Sequence, residues 1–433
     1  MFVEVASSAA MGSFLLYLKF KHENASNDAE KIQRIAANSG LKVKDGNQTK
    51  TIQLLRRSPI NQGKVQIGME YAYRIPFGLE VKDFQDKIGK FQDGLNSKQR
   101  EFELNWTDLK ELKLNKDFIK QIKSLINKKS NTKKEIEFSF DGLLKVRIYY
   151  DSLTGDFNFE KTLSKNYKGW EVPIGEGRTA FIKHDFESIP NMIVAGPPGF
   201  GKSNWLKCLI TFLINKKDKD VIFTLIDLKN GLTFSRYKDV KQVKTVAKDN
   251  DSALEALKNV EQYMNETNER LFVKGLEDVK EEGNKQRHFI IIDEAADVAD
   301  DDEFKSLIKN IARKGRSAGL RLIYATQYPT TETVPSQVKR NCIARLCFPV
   351  DSLAASTVVI DQSGAEKLPM VIGRAIYKTI KCQEVQTPRI ENSFIKQTIQ
   401  PHINIRPRKE DLHEKDGGKG KEANKHTLII EQA

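Results

Sequence analysis

Cysteine is scarce in this chain. There are four in 433 residues, at positions 208, 342, 347 and 382, and no two stand at C-x-x-C spacing. That leaves no basis for a disulfide framework or a cysteine metal centre, and reads as buried or incidental thiols in a reducing compartment. The six histidines are scattered and form no ligand cluster. Long apolar runs are also rare. The stretch Phe2–Leu18 is apolar or small apart from Glu4, and its 17 residues are at the short limit for a membrane span. It has no basic segment before it and no cleavage signal after it, which argues against a cleaved signal peptide. Lys19, Lys21 and His22 follow it. If it spans, the positive-inside rule puts the rest of the chain on the cytoplasmic side of the cell membrane. The alternatives are an amphipathic helix on a partner or a frayed end.

Acidic residues are in deficit. Seventy-one Lys and Arg stand against 58 Asp and Glu, a formal charge of +13. The excess favours a polyanionic partner, nucleic acid or an acidic membrane face. Solvated lysines would give the same number, so charge alone does not decide. The length is enough for two or three domains.

What the chain does have is concentrated around one stretch. The apolar run Met192–Ala195 reads as a short buried strand and leads into Gly196-Pro197-Pro198-Gly199-Phe200-Gly201-Lys202-Ser203, the full P-loop pattern. A segment with helical apolar spacing, Asn204 to Asn215, follows directly. In such a loop the glycines let backbone N–H groups curl around phosphate oxygens at a helix N-terminus. Lys202 reaches the β- and γ-phosphates and the Ser203 hydroxyl sits on Mg²⁺, so residues 196–204, Asn204 included, are the expected ATP-binding set. Further on, Phe289–Ile292 ends in Asp293-Glu294. Asp293 at the C-terminal end of a buried strand is placed to hold Mg²⁺ through water, and Glu294 to orient or deprotonate the attacking water. The apolar run Val221–Asp227 fits another strand buried in a parallel sheet. Leu320–Ala325 reads as one more, ending in Thr326-Gln327, where the Gln327 amide is placed to sense the γ-phosphate.

The flanking regions differ in kind. Residues 25–165 read as a separate α+β domain, with a strand over Lys64–Tyr73, a helix over Asp83–Leu95, another over Phe118–Ile126, and two strands within Ile136–Tyr150 around Asp141-Gly142. The basic loop Lys128–Lys134 reads as a solvated turn or a phosphate contact. Residues 166–400 form the ATPase domain. Residues 401–433 are highly charged without apolar periodicity and read as a disordered tail. Residues 1–24 hold the possible anchor.

The order strand, P-loop, helix, then Ile226-Asp227-Leu228-Lys229, then Ile290–Glu294, then Ala318–Pro329 resembles FtsK/SpoIIIE DNA translocases. So does Ile360-Asp361-Gln362-Ser363-Gly364-Ala365-Glu366-Lys367-Leu368, which is similar to that family's signature Asp-Gln-x-Gly-Ala-Glu-x-Leu. The resemblance covers about residues 170 to 395. The preceding Tyr73–Leu79 and Asp83-Phe84 are similar to FtsK-like coupling proteins of Gram-positive conjugative elements. The resemblance implies a RecA-like α/β P-loop NTPase, with a parallel sheet flanked by helices, and a homo-hexameric ring that moves DNA in conjugative transfer, alongside a relaxase and membrane machinery. It also implies an arginine supplied in trans, either Arg316 or Arg345. Tyr328 stands where the family commonly has Arg, Pro197-Pro198 where Thr or Ser is frequent, and no C-terminal winged-helix segment is visible. Two rival readings keep the nucleotide site: a motor acting on protein cargo, or a membrane-tethered adaptor.

Overall fold

The computed structural model describes residues 28–46, 48–63, 65–96, 133–229, 231–298 and 301–403. The expected membrane segment, the helix over Phe118–Ile126 and the charged tail beyond Ile403 lie outside these residues. Among the described residues no helix is long and apolar enough to cross a membrane. The chain divides into two compact units, Met1–Thr154 with Gly177–Phe181, and Gly155–Glu176 with Ile182–Ala433. The division falls ahead of the boundary near residue 165 read from composition. Phe159, which precedes residue 165, is buried in the core of the larger unit.

In the smaller unit, helix α1 (residues 28–38) and a short ribbon, β1 (Val43–Asp45) with β2 (Gln48–Lys50), precede β3 (Gln53–Gln62) and β4 (Val65–Arg74). Next come α2 (Val81–Gln85), α3 (Ile88–Asn96), β5 (Glu135–Phe140) and β6 (Leu144–Tyr149). The sheet order is β3-β4-β6-β5, all pairs antiparallel. Period-two alternation sends Met69, Tyr71 and Tyr73 of β4 to one face, where they meet Phe84, Phe91, Phe138 and Val146. The helix expected over 83–95 is two helices, broken at Asp86-Lys87, and Phe84 and Phe91 still reach the same core.

The larger unit runs α4 (Glu160–Leu163), β7 (Glu171–Gly177), β8 (Phe181–Asp185), β9 (Met192–Ala195), α5 (Lys202–Lys216), β10 (Val221–Asp227), β11 (Val243–Ala247), α6 (Asn250–Lys274) and β12 (Arg287–Asp293). It continues with α7 (Asp302–Lys314), β13 (Leu320–Thr326), α8 (Ser336–Asn341), β14 (Ala344–Cys347), α9 (Leu353–Ile360), β15 (Arg374–Lys378), β16 (Cys382–Gln386) and α10 (Asn392–Ile399). The strands form one ten-stranded sheet, ordered β11-β10-β12-β13-β9-β14-β15-β16-β7-β8. From β11 to β14 every pair is parallel. β15 and β16 then add antiparallel. The sheet is therefore mixed: the expected parallel sheet forms its β11–β14 part, and antiparallel strands extend it. β15 and β16 form an antiparallel hairpin beside β14, and the apolar runs that betray buried parallel strands do not mark them.

Alternate residues of the central strands feed two cores. Met192, Val194, Phe289 and Ile291 pack with α5 on one face. Ile193, Ala195, Ile290 and Ile292 pack with α6, α7 and α9 on the other. Burial on both faces explains why these strands read as unbroken apolar runs.

Candidate nucleotide site

Parallel pairing brings the C-terminal ends of four strands together. Asp227 is in register with Asp293, and Thr326 with Ala195. The loop after β9 leaves at this edge, and Gly196 N–H donates to Thr326 O at 3.1 Å. Ligands of open α/β sheets bind at such carboxyl edges.

The loop's backbone needs glycine at specific points. Gly201 has φ 111°, and a Cβ there would stand 3.1 Å from the Gly373 backbone and 3.3 Å from Phe348 Cε1. At Gly196 a Cβ would come within 2.5 Å of Phe348 Cβ. Gly373 N–H also donates to Phe200 O at 2.9 Å. Phe348 and Gly373 thus press against the loop from behind, leaving Pro198 and Gly199 exposed at its tip. Neither residue was marked by the sequence, since neither belongs to a phosphate-loop pattern.

Lys202 opens α5, is 3% exposed, and pairs through Nζ with Asp293 Oδ1. The Ser203 hydroxyl donates to Asp293 Oδ2 at 3.3 Å. Glu294 is buried and has φ 65°, a left-handed conformation rare outside glycine. Its Oε1 accepts from Gln327 N–H at 3.3 Å, while Oε2 has no hydrogen-bond partner. Burial pushes this carboxyl above its ordinary range, with Lys202 opposing the shift. Asp227 is raised too, by burial first, with the nearby Asp293 charge adding to it and backbone N–H groups opposing it.

Lys202, Ser203, Asp293, Glu294 and Gln327 therefore converge, though Lys202 and Asp293 are 91 residues apart. The set suits a magnesium-bound triphosphate: an ammonium for phosphate oxygens, a hydroxyl beside a carboxylate, and a loop whose Gly196 and Gly201 positions leave no room for a side chain. Among the described residues no three His, Cys, Asp or Glu side chains cluster as a metal cage. Magnesium bound chiefly through phosphates and waters needs none.

Other expected residues go elsewhere. Asn204 Nδ2 donates to Pro388 O at 2.9 Å, so its side chain ties α5 to the segment after β16. Arg316 is exposed in the turn before β13, at the opposite sheet edge from the loop of its own chain. Arg345 is 8% exposed on β14, donates to Val359 O at 3.0 Å and pairs with Asp361. Its guanidinium is engaged within its own chain. Tyr328 is exposed, 62%, and its carbonyl accepts from Thr333 Oγ1. Lys229, quoted above only as part of a motif, stands beside Gln327 and Glu294.

The FtsK/SpoIIIE family model matches residues 160–289, which include the loop, Lys202 and β10. Over those residues the chain is similar to the FtsK/SpoIIIE family. The DNA translocase FtsK of Chlorobaculum tepidum is 30% identical over 236 residues, spanning 49% of this chain and 29% of that protein. The DNA translocase FtsK of Streptococcus pneumoniae is 29% identical over 258 residues, spanning 55% of this chain and 33% of that protein. The chain thus spans about a third or less of the length of these relatives. Among solved structures, the pCW3 conjugation coupling protein TcpA, in its monomer form with ATPγS, has a TM-score of 0.55 at 18% identity. The match covers 87% of this chain and 99% of that one, and speaks for the fold. The P-loop NTPase fold is the one expected from the motifs.

Proposed function

We propose that this chain is an ATP-driven DNA translocase that acts as the coupling protein of a conjugative element, working as a homo-hexamer. The observation that carries the reading is a complete P-loop site, closed by Asp293, Glu294 and Gln327, inside a domain matched by FtsK translocases. The likeness to TcpA over most of both chains supports the conjugative role, and the +13 charge suits a polyanionic load.

In this reading Lys202 holds the β- and γ-phosphates, and Ser203 and Asp293 hold Mg²⁺, which supplies charge stabilisation at the transferring phosphoryl group. Glu294 takes the proton of the attacking water. Buried and left with one carboxylate oxygen uncommitted, it has a free lone pair for that task. Gln327 is placed to report the γ-phosphate to its own strand end. Arg316, exposed and uncommitted to the site of its own chain, is the better arginine to complete a neighbour's site. The segment Phe2–Leu18 would anchor the ring on the cytoplasmic side of the membrane, facing a relaxase-bound DNA.

The test is the ATPase rate of the full chain in detergent, with and without linear duplex or single-stranded DNA, with Lys202→Ala as blank. The expected result is a rise with DNA that fades as salt goes from about 50 to 200 mM, because phosphate contacts release counterions. The strand form that stimulates names the substrate. A rate indifferent to both DNAs in an assembled oligomer overturns the translocase and leaves a protein-directed motor or an adaptor.

A further inference from the structure

The motif Ile226-Asp227-Leu228-Lys229 has no role in the phosphate chemistry above, yet it ends inside the site. Asp227 closes β10 beside Asp293. Its carboxylate accepts from Lys229 N–H at 3.1 Å and from Thr233 N–H at 2.6 Å, and its carbonyl accepts from Gly231 N–H at 3.0 Å. These bonds pin the start of the loop, and from there the Lys229 side chain extends over the catalytic groups. Its Nζ donates to Gln327 Oε1 at 2.6 Å and stands 3.7 Å from Glu294 Oε2. That oxygen is buried and has no hydrogen-bond partner. The three residues come from the ends of three different strands, β10, β12 and β13, and the lysine reaches the other two.

We infer that Lys229 is a positioning residue for ATP hydrolysis, the cation that holds the Glu294 carboxylate and the Gln327 amide in one arrangement. Glu294 needs such a support. Its backbone is left-handed, and its side chain is otherwise held only by one long hydrogen bond, 3.3 Å from Gln327 N–H to Oε1. A carboxylate so held can rotate its second oxygen away from the attacking water. An ammonium 3.7 Å from that oxygen keeps it turned toward the site by charge while leaving its lone pairs free of a direct hydrogen bond. Gln327 gains in the same way. With Oε1 bound to Lys229, the amide N–H₂ is the end left to face phosphate. Lys229 itself is half exposed, 50%, so it is not part of the core and its replacement leaves packing intact. Small displacements of such supporting groups cost rate more than affinity, because they act where the water and phosphorus approach each other.

The inference rests on ATP hydrolysis at this site and not on the nature of the load. The experiment uses the full chain as wild type, Lys229→Met, Lys229→Arg and Lys202→Ala. It reads kcat, KM for ATP, the affinity for fluorescent MANT-ADP, and the retention of MANT-ADP by vanadate, which mimics the transferring phosphoryl group. For Lys229→Met the expected result is a fall in kcat of about 10- to 100-fold, with KM and MANT-ADP affinity within about twofold of wild type. Vanadate retention should be lost with it, since a transition-state mimic needs the aligned Glu294 and Gln327. Lys229→Arg, which keeps the charge and the reach, should recover about a third or more of the rate. The inference is overturned if Lys229→Met turns over within about threefold of wild type, or if KM rises while kcat holds, which would make the lysine a substrate ligand. It is also overturned if Met and Arg variants lose MANT-ADP binding alike, which would make the role structural. Hydrolysis that depends on Lys202 but ignores DNA sinks the translocase reading and leaves this assignment standing.

Discussion

At Gly201 two demands fall on one atom. The backbone must adopt φ 111° so that the chain can turn into α5, and the space where a Cβ would stand is taken by Gly373 and Phe348. Neither neighbour is the far end of a flexible chain, so neither yields cheaply. Gly201→Ala is therefore expected to cost about 1–3 kcal/mol of stability through strain and to weaken nucleotide binding about tenfold or more. Urea denaturation and MANT-ADP titration check the two effects separately. The same substitution at Gly199, where φ is 87° but no atom lies within 4 Å, should bear the conformational cost alone.

At the scale of the element, the end of α9 gives the signature segment a physical role. Asp361 terminates the helix at φ 60°, and its carboxylate gathers three cations, Lys339 and Lys378 at 2.7 Å and Arg345. The same cations cap the helix's last carbonyls: Lys378 Nζ donates to Ile360 O, Arg345 Nη1 to Val359 O and Lys339 Nζ to Thr357 O. Ser356 Oγ donates to Gln362 O and accepts from Ala365 N–H, folding the following turn back on the helix. The segment thus fastens α8, β14 and β15 to one helix end. Partial burial alone would push the Asp361 carboxyl up; the hydrogen bonds from Lys339, Lys378 and Arg345 outweigh it and hold the group well below its ordinary range. Asparagine tolerates the left-handed region, so Asp361→Asn isolates the charge from the turn. It should lower stability by about 1–2 kcal/mol, a modest figure because the carboxylate is part exposed. A depressed carboxylate stabilises above its unfolded pKa and loses that contribution as pH falls toward the folded value. The gap between wild type and variant should therefore be full at pH 7 and narrow below about pH 4 in parallel urea titrations.

The larger unit as a whole carries a second pH dependence, of different origin. His184 is buried between Tyr377 OH at 2.8 Å and Ile189 O at 2.9 Å, and burial depresses it to about 4. His288, buried beside Thr224 Oγ1 at 2.9 Å, is depressed to about 3, by burial first and then by Lys244. Both are neutral in the folded chain at pH 6, whereas an unfolded imidazole with a pKa of 6.5 is mostly protonated there. The unfolded state then binds more protons, so stability is full above about pH 6.5 and declines as pH falls toward 4. The urea midpoint should be lower at pH 5.5 than at pH 7.5, and a flat profile would mean that water reaches both rings. The charge of the molecule acts at the same scale: +13 spread over the chain makes any DNA stimulation steeply salt-dependent, whichever strand form is the substrate.

The sequence by itself determined the nucleotide site's outline. Gly196 to Ser203 are consecutive, and Asp293-Glu294 and Gln327 each end an apolar run, so strand ends and turn could be read from local pattern. In the smaller unit, alternation along β4 and the Asp141-Gly142 turn were legible for the same reason. Tertiary structure decided what depends on strand order. Lys229 meets Gln327 across 98 residues because β10, β12 and β13 end at one edge, and no spacing in the chain encodes that. Phe348 and Gly373, just after β14 and just before β15, back the phosphate loop from a part of the chain that local pattern does not join to it. Arg345 and Arg316, alike as sequence candidates, are separated by burial: one is bound to Asp361, the other faces solvent. The antiparallel strands β15 and β16 belong here as well. Side-chain period reports which residues are buried, while the direction of a neighbouring strand is set by how the chain returns, through packing that no single segment contains.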